Sequence, residues 1–289
     1  MRTSIEGPRF PVPQHEALKT VNIPDNTKVT DPVLLNDLEL EQIAMATLLI
    51  GRLLMESGAR AEVVHEDCSI VAHGFGADHV DLRSGYASVD ITVSRGDSTI
   101  TRTMEVGPHG VDHRLSHALR DLVRRIQQGN LTPSEALAKA TGLKRDTPHF
   151  VPWLVALAAG IACAAFGRLL GLDWPAFLPV AAAGAIGQAV RQVMLRRLVN
   201  VFVIAACVAF LSSSLAGLGA SRAGSATVNV AMVASVLMLV PGVPAFNAQS
   251  DIMEGHPTLG TARGVCVIML LTFIAIGVLL AQVLLGAQP

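Results

Sequence analysis

The chain has 289 residues, 51% of them hydrophobic and 16% charged, with a formal net charge of −1. The first 149 residues hold 16 Lys/Arg and 20 Asp/Glu, whereas the last 140 hold six Arg and three acids, with no lysine after Lys144. Nine charges cannot clothe 140 residues in water, so the second half has to be covered by lipid or protein. Aromatic content of 4% without a basic stripe argues against nucleic acid as a partner.

Residues 1–35 carry Pro8, Pro11, Pro13, Pro24 and Pro32 among polar residues. Lacking an apolar stretch, they read as a disordered tail rather than a cleavable signal peptide. From Leu38 to Ser57 apolar residues recur at helical spacing, with Gly58 as a C-cap, and a second helix is predicted over Arg60–His73. Three short β-branched segments follow, Val80–Arg83, Ser88–Ser94 and Ser98–Met104. Arg95-Gly96-Asp97 falls where a hairpin turn belongs, and Gly and Asp are turn residues, so the turn is preferred over a cell-adhesion motif. Val111–Gln128 reads as a helix, and Thr132-Pro133-Ser134-Glu135 opens another with a capping-box pattern.

After Phe150 the pattern changes to apolar runs over 152–171, 174–190, 198–218, 226–244 and 265–285, rich in Gly and Ala. The expected fold is an α-helical membrane protein: about five transmembrane helices (150–289) preceded by a small α+β cytoplasmic domain (36–149). Seven basic residues (Lys139, Lys144, Arg145, Arg191, Arg196, Arg197 and Arg263) fall on one side of these spans and two, Arg168 and Arg222, on the other. That bias places the N-terminus in the cytoplasm and the C-terminus outside.

Chemistry of other kinds finds little support. Cys68, Cys163, Cys207 and Cys266 form no CxxC pair and three lie in apolar runs, which argues against disulfides and zinc. His109, His113 and His117 are spaced i, i+4, i+8 beside Asp112, but no further ligand type accompanies them, so a solvated face is preferred over a metal site. His65-Glu66 is not followed by the second His of HExxH, and neither a phosphate loop nor a GxSxG elbow occurs. No enzyme, cofactor or ATP-driven pump is indicated.

The most informative run is Leu239-Val-Pro-Gly-Val-Pro-Ala-Phe-Asn-Ala-Gln-Ser-Asp251. Two prolines and a glycine interrupt a span and free backbone carbonyls, which in lipid have to face protein or a water-filled cavity. Two readings stay open: a broken helix exposing polar groups to a substrate, or a helix ending at Pro241 before a polar cytoplasmic loop. This run, with Gly255-His256, resembles the "LVPGxPxxNAxxDxxxGH" pattern of the threonine/serine exporter (ThrE) family, and especially its shorter, YjjP-like members. A following "TGxAR" is met loosely at Thr258–Arg263. Pro152–Leu157 and Val190-Arg191-Gln192 add to the likeness, which covers about residues 38–285.

The resemblance implies export of small polar metabolites, either threonine- and serine-like amino acids or C4-dicarboxylates such as succinate. It also implies a bacterial inner-membrane location and a second small transmembrane subunit as partner, because short members carry half the spans of long ones. Homo-oligomerisation is a further option. The candidate pathway residues are Arg191, Pro241, Gly242, Pro244, Asn247, Asp251 and His256. Arg191 offers a bidentate fork to a carboxylate, or serves as a positive-inside anchor. Asp251 is a candidate proton carrier if it lies at membrane depth, Asn247 donates and accepts at once, and His256 follows in the same run, where a histidine in a polar loop is the alternative. The rival reading is a membrane-anchored regulatory or ligand-sensing protein, for which a proline-broken span has no use.

Overall fold

A computed structural model describes residues 32–147 and 150–286. The tail expected over residues 1–35 lies outside the described residues up to 31, while residues 32–35 belong to the first helix rather than to a tail. That helix, α1 (Pro32–Glu56), is followed by α2 (Ala61–Gly74), β1 (His79–Ser84), β2 (Ser88–Arg95), β3 (Ser98–Glu105), α3 (His113–Gln127) and α4 (Pro133–Asp146).

The strands form an antiparallel meander in the order β1-β2-β3. Val89, Ile91 and Val93 alternate toward α1 and are fully buried. α1, whose apolar residues recur at helical spacing, is covered nearly all round from Ile43 to Met55 by the sheet, α2, α3 and α4. Gly96 has a left-handed backbone, φ 58°, and its N–H donates to Asp78 at 2.7 Å, so the Arg-Gly-Asp run is a hairpin turn. The capping box at α4 is formed: Thr132 Oγ1 accepts from the Glu135 amide at 3.3 Å and the Glu135 carboxylate from the Thr132 amide at 2.9 Å.

The second half contains α5 (Pro152–Leu169), α6 (Phe177–Arg196), α7 (Val201–Arg222), α8 (Val228–Ala234), a 3₁₀ turn at Leu237–Leu239, α9 (Gly242–Met253) and α10 (Pro257–Leu285). Among the described residues α5, α6, α7 and α10 are long and apolar enough to cross a membrane, and the α8/α9 pair is a fifth candidate bent by 61°. Beside the broken fourth span, two expected bounds shift in a way that moves an arginine. α6 runs to Arg196 instead of ending at 190, so Arg191 lies inside the helix, and α10 begins at Pro257 instead of 265, so Arg263 is helical.

Helix direction follows from contacts. Phe202 faces Phe273 with ring centroids 5.7 Å apart, Gly277 lies against Ala206 and Ala209, and Gly217 against Leu285. Thus α7 and α10 run parallel, and the chain between Arg222 and Pro257 has to return along the bundle through α8 and α9. The reading in which the helix stops at Pro241 and leaves a polar loop is therefore replaced: Asn247 to Asp251 lie on helix α9. Pro241 is its N-cap and Pro244 sits in its first turn, where a missing N–H costs no hydrogen bond.

Small residues set the helix spacing. A Cβ on Gly277 would stand 2.4 Å from the Ala206 carbonyl oxygen, so only glycine permits this approach. Gly277→Val is expected to destabilise the bundle by about 1–3 kcal/mol, lowering the thermal unfolding midpoint in detergent. Gly264→Ala, whose Cβ would meet only Ala248 at 4.0 Å, should leave that midpoint unchanged or higher. Equal midpoints for Gly277→Val and the parent would remove the close-packing argument.

Candidate functional site between the broken helix and the α1–α2 turn

α9 returns to the α+β region and lies on the turn that joins α1 to α2. Asn247, Ser250, Asp251 and Glu254 share one face at i, i+3, i+4, i+7 spacing, and residues 58–61 meet that face in turn. The Asn247 amide donates to the Gly58 carbonyl at 2.8 Å, and Arg60 donates to Ser250 at 3.3 Å and pairs with Glu254. Asp251 Oδ1 accepts from the Ala61 amide at 2.8 Å. That amide is the first of α2 and has no partner within its own helix. Asp251 Oδ2 accepts from Arg263 Nη1 at 2.5 Å, and Arg263 Nη2 donates to the Ala59 carbonyl at 3.1 Å. Asp251 is 0% and Arg263 7% exposed, so removing either leaves an uncompensated buried charge, a loss of about 3–5 kcal/mol.

Two further contacts extend the joint. The His256 ring lies against His65 of α2, centroids 4.5 Å apart, and His65 reaches Ser84 Oγ at 3.1 Å. Leu259, in the first turn of α10, is buried in the same apolar cluster as α1 and α2.

Beside this joint lies a cavity of about 470 Å³, bounded by the α1–α2 turn, the Tyr86 and His109 loops, the start of α7, the break and α10. Pro241, Pro244, Asn247 and Arg263 contribute to its wall, and no Asp or Glu does among the described residues. His109 stacks on Tyr86 at 4.5 Å, with Nε2 2.8 Å from the Tyr86 carbonyl oxygen and Nδ1 3.3 Å from that of Met55. Burial, reinforced by Cys266, pushes the Tyr86 phenol up to about 12, so it remains a hydrogen-bond donor at neutral pH.

The residues singled out from sequence divide into two places. Asn247, Asp251 and His256 converge on the α1–α2 turn and the start of α2, Pro241 and Pro244 line the cavity, and Gly242 begins α9 with no atom within 4 Å of a Cβ position. Arg191 is not among them. It lines a separate groove of about 480 Å³ with Gln188, Leu154 and Ala158, and it has no hydrogen-bond or ion-pair partner among the described residues. That groove touches the broken segment only at Met238.

Sequence reasoning missed Arg263, which it took as a flanking charge, and Arg60, Tyr86 and His109. The helical spacing of 247, 250, 251 and 254 was available as a signal, whereas nothing local links Arg263 to Asp251. Of the three histidines for which a solvated face was preferred, His113 and His117 are exposed on α3, whereas His109 lies before that helix, at the cavity.

Burial and the neighbouring His256 hold the His65 imidazole below its ordinary value. The folded state therefore binds fewer protons than the unfolded chain as pH falls through the ordinary histidine range, and stability is lost on that side. Melting temperature should drop between about pH 7.5 and about pH 5.5, and His65→Phe should flatten part of that slope. An identical slope in the variant would dismiss the His65 contribution.

A family model described as "Putative threonine/serine exporter" (ThrE) matches residues 45–285, from the middle of α1 to the end of α10. Two relatives named "Probable succinate transporter subunit YjjP" are similar to the chain. That of Klebsiella aerogenes is 26% identical over 251 residues, covering 86% of this chain and 96% of the relative. That of Escherichia coli K12 is 27% identical over 256 residues, covering 86% and 97%. No solved structure matches. With its apolar helices and a match that takes in the sheet, the break and the bundle alike, this multi-pass membrane chain belongs to the threonine/serine exporter (ThrE) family.

Proposed function

We propose that this chain is one subunit of an ion-gradient-driven exporter in a bacterial inner membrane, moving small polar metabolites that carry a carboxylate. The substrate classes are threonine- or serine-like amino acids and C4-dicarboxylates such as succinate, and a second small transmembrane subunit completes the path. The observation that carries this reading is the proline-broken traverse, whose Pro241, Pro244 and Asn247 form one side of a cavity also walled by Arg263, His109 and Tyr86. Irregular backbone within an apolar bundle is stable only where protein or a polar cavity satisfies it. Pro241, Gly242 and Pro244 supply the break, and Asn247, Asp251 and His256 its polar sequel. Arg191, in the separate groove that reaches the broken segment at Met238, is a second cation for a carboxylate.

On this reading the chain crosses the bilayer five times, with the N-terminus cytoplasmic, the C-terminus outside and α9 at the cytoplasmic side. A reporter fused after the last residue should be active only outside, and one fused near Arg196 only inside. The opposite pattern, or the same side for both, would overturn the topology.

Transport should need both subunits. In cells lacking the pair, restoring this chain alone should not relieve substrate accumulation, and restoring both should. Asn247→Ala should reduce export roughly tenfold at unchanged membrane abundance, because it removes one positioned hydrogen bond. Arg191→Lys should weaken export where Arg196→Lys does not, since a fork and not a bare charge is required. Export of succinate or threonine by the purified chain alone in liposomes would refute the two-subunit arrangement. Parental rates in both Asn247→Ala and Arg191→Lys would refute the pathway.

A further inference from the structure

We propose that Arg263 is the group that receives the substrate carboxylate, and that it does so by exchange: the incoming carboxylate takes the place of Asp251 on the guanidinium. This rests on the pathway reading above and names how that pathway recognises its cargo.

Three observations lead here. Arg263 is both a wall of the cavity and one half of the buried pair, so the cation that a ligand would meet is already neutralised by an internal carboxylate. Its bonds to Asp251 and the Ala59 carbonyl engage two of its N–H groups, and a guanidinium carries about five in a planar fork. The cavity wall carries no acid among the described residues. The site therefore favours an anion, and within it Arg263 is the cation with N–H groups to spare.

Exchange is also the route with the smaller barrier. Removing Asp251 from a buried guanidinium without replacement strands a charge, whereas swapping one carboxylate for another keeps the guanidinium paired throughout. The displaced carboxylate does not become an orphan either. Asp251 Oδ1 already accepts from Ala61, the first amide of α2, and the positive end of that 14-residue helix favours a carboxylate. Asp251 can thus leave Arg263 while remaining attached to α2. Once it does, α9 keeps its bonds to the α1–α2 turn through Asn247 and loses its ion pair to α10. α9 and α10, joined through Glu254–His256, are then no longer tied by that pair, and arrival of substrate is converted into a loosening of α10 against α9.

Exchange makes Asp251 a competitor of the substrate, which yields a gain of binding that misfolding cannot imitate. Succinate is titrated by calorimetry into the purified full-length chain in lipid nanodiscs, with the uncharged diamide succinamide as control. Asp251→Asn, which retains an acceptor for Ala61, should bind succinate roughly tenfold more tightly than the parent and should not bind succinamide. Adding Arg263→Gln to that variant should abolish the gain, and Arg263→Lys should weaken it because the fork is lost. Equal or weaker succinate binding by Asp251→Asn overturns the exchange, as does a gain that survives Arg263→Gln, or failure of both parent and Asp251→Asn to bind succinate. If the exchange fails in this way while Asn247→Ala still loses export, the pathway stands with a different carboxylate receptor. If Asn247→Ala and Arg191→Lys export normally, the pathway itself is what failed.

Discussion

Asp251 is buried completely, and both of its oxygens are engaged, one by the Arg263 guanidinium and the other by the first amide of α2. An isolated buried carboxylate costs several kcal/mol, and in this structure α9, α10 and α2 are held within hydrogen-bond reach of that single side chain. The position of α9 follows from this, and so does the place where the returning traverse meets the α+β region. Arg60 with Glu254, Asn247 with Gly58, and the His65–His256 contact lie on the same line of approach and are reached only because that anchor is set.

The economy of charge in the second half sharpens the point. Its three acids are Asp173, Asp251 and Glu254, and each is a tie between elements. Asp173 clasps the far end of the bundle, accepting from Ser225 Oγ at 2.7 Å and the Ala226 amide at 2.8 Å, while Glu254 meets Arg60. Of the arginines, Arg263 is buried in its pair, and Arg191 stands without a partner among the described residues. Charges are costly in surroundings of low polarity, and Arg263 and Arg191, which each line a cavity, both retain N–H groups not bonded to another described residue.

The α+β region is thereby more than an anchor point. Leu259 of α10 is buried in the cluster built by α1, α2 and the sheet, so the first turns of the last helix belong to that core. A displacement of α9 or α10 is transmitted to α2 through side chains that have no slack, and the reverse holds equally. The α1–α2 turn can form this seat because Gly58 takes φ 90° and its Cβ position would lie 2.5 Å from the Gly110 carbonyl oxygen, which leaves room only for glycine.

Local patterns were sufficient to read much of this chain. Alternating valines and isoleucines announce β2, Thr132 and Glu135 announce the start of α4, and the scarcity of charge after Phe150 announces a bundle set in lipid, because each depends on residues a few positions apart. The prolines at 241 and 244 marked the break for the same reason, and the ThrE-like run around them pointed to transport. What the sequence could not determine was whether Asn247 to Asp251 formed a loop or a helix, which was decided by the parallel run of α7 and α10 forcing the chain back along the bundle. Nor could it show that Arg263 belongs with Asp251, or that Arg191 does not. Those choices arise from α9 folding back on the α1–α2 turn some 190 residues away in the chain. Burial, and not sequence proximity, selects which opposite charges must meet.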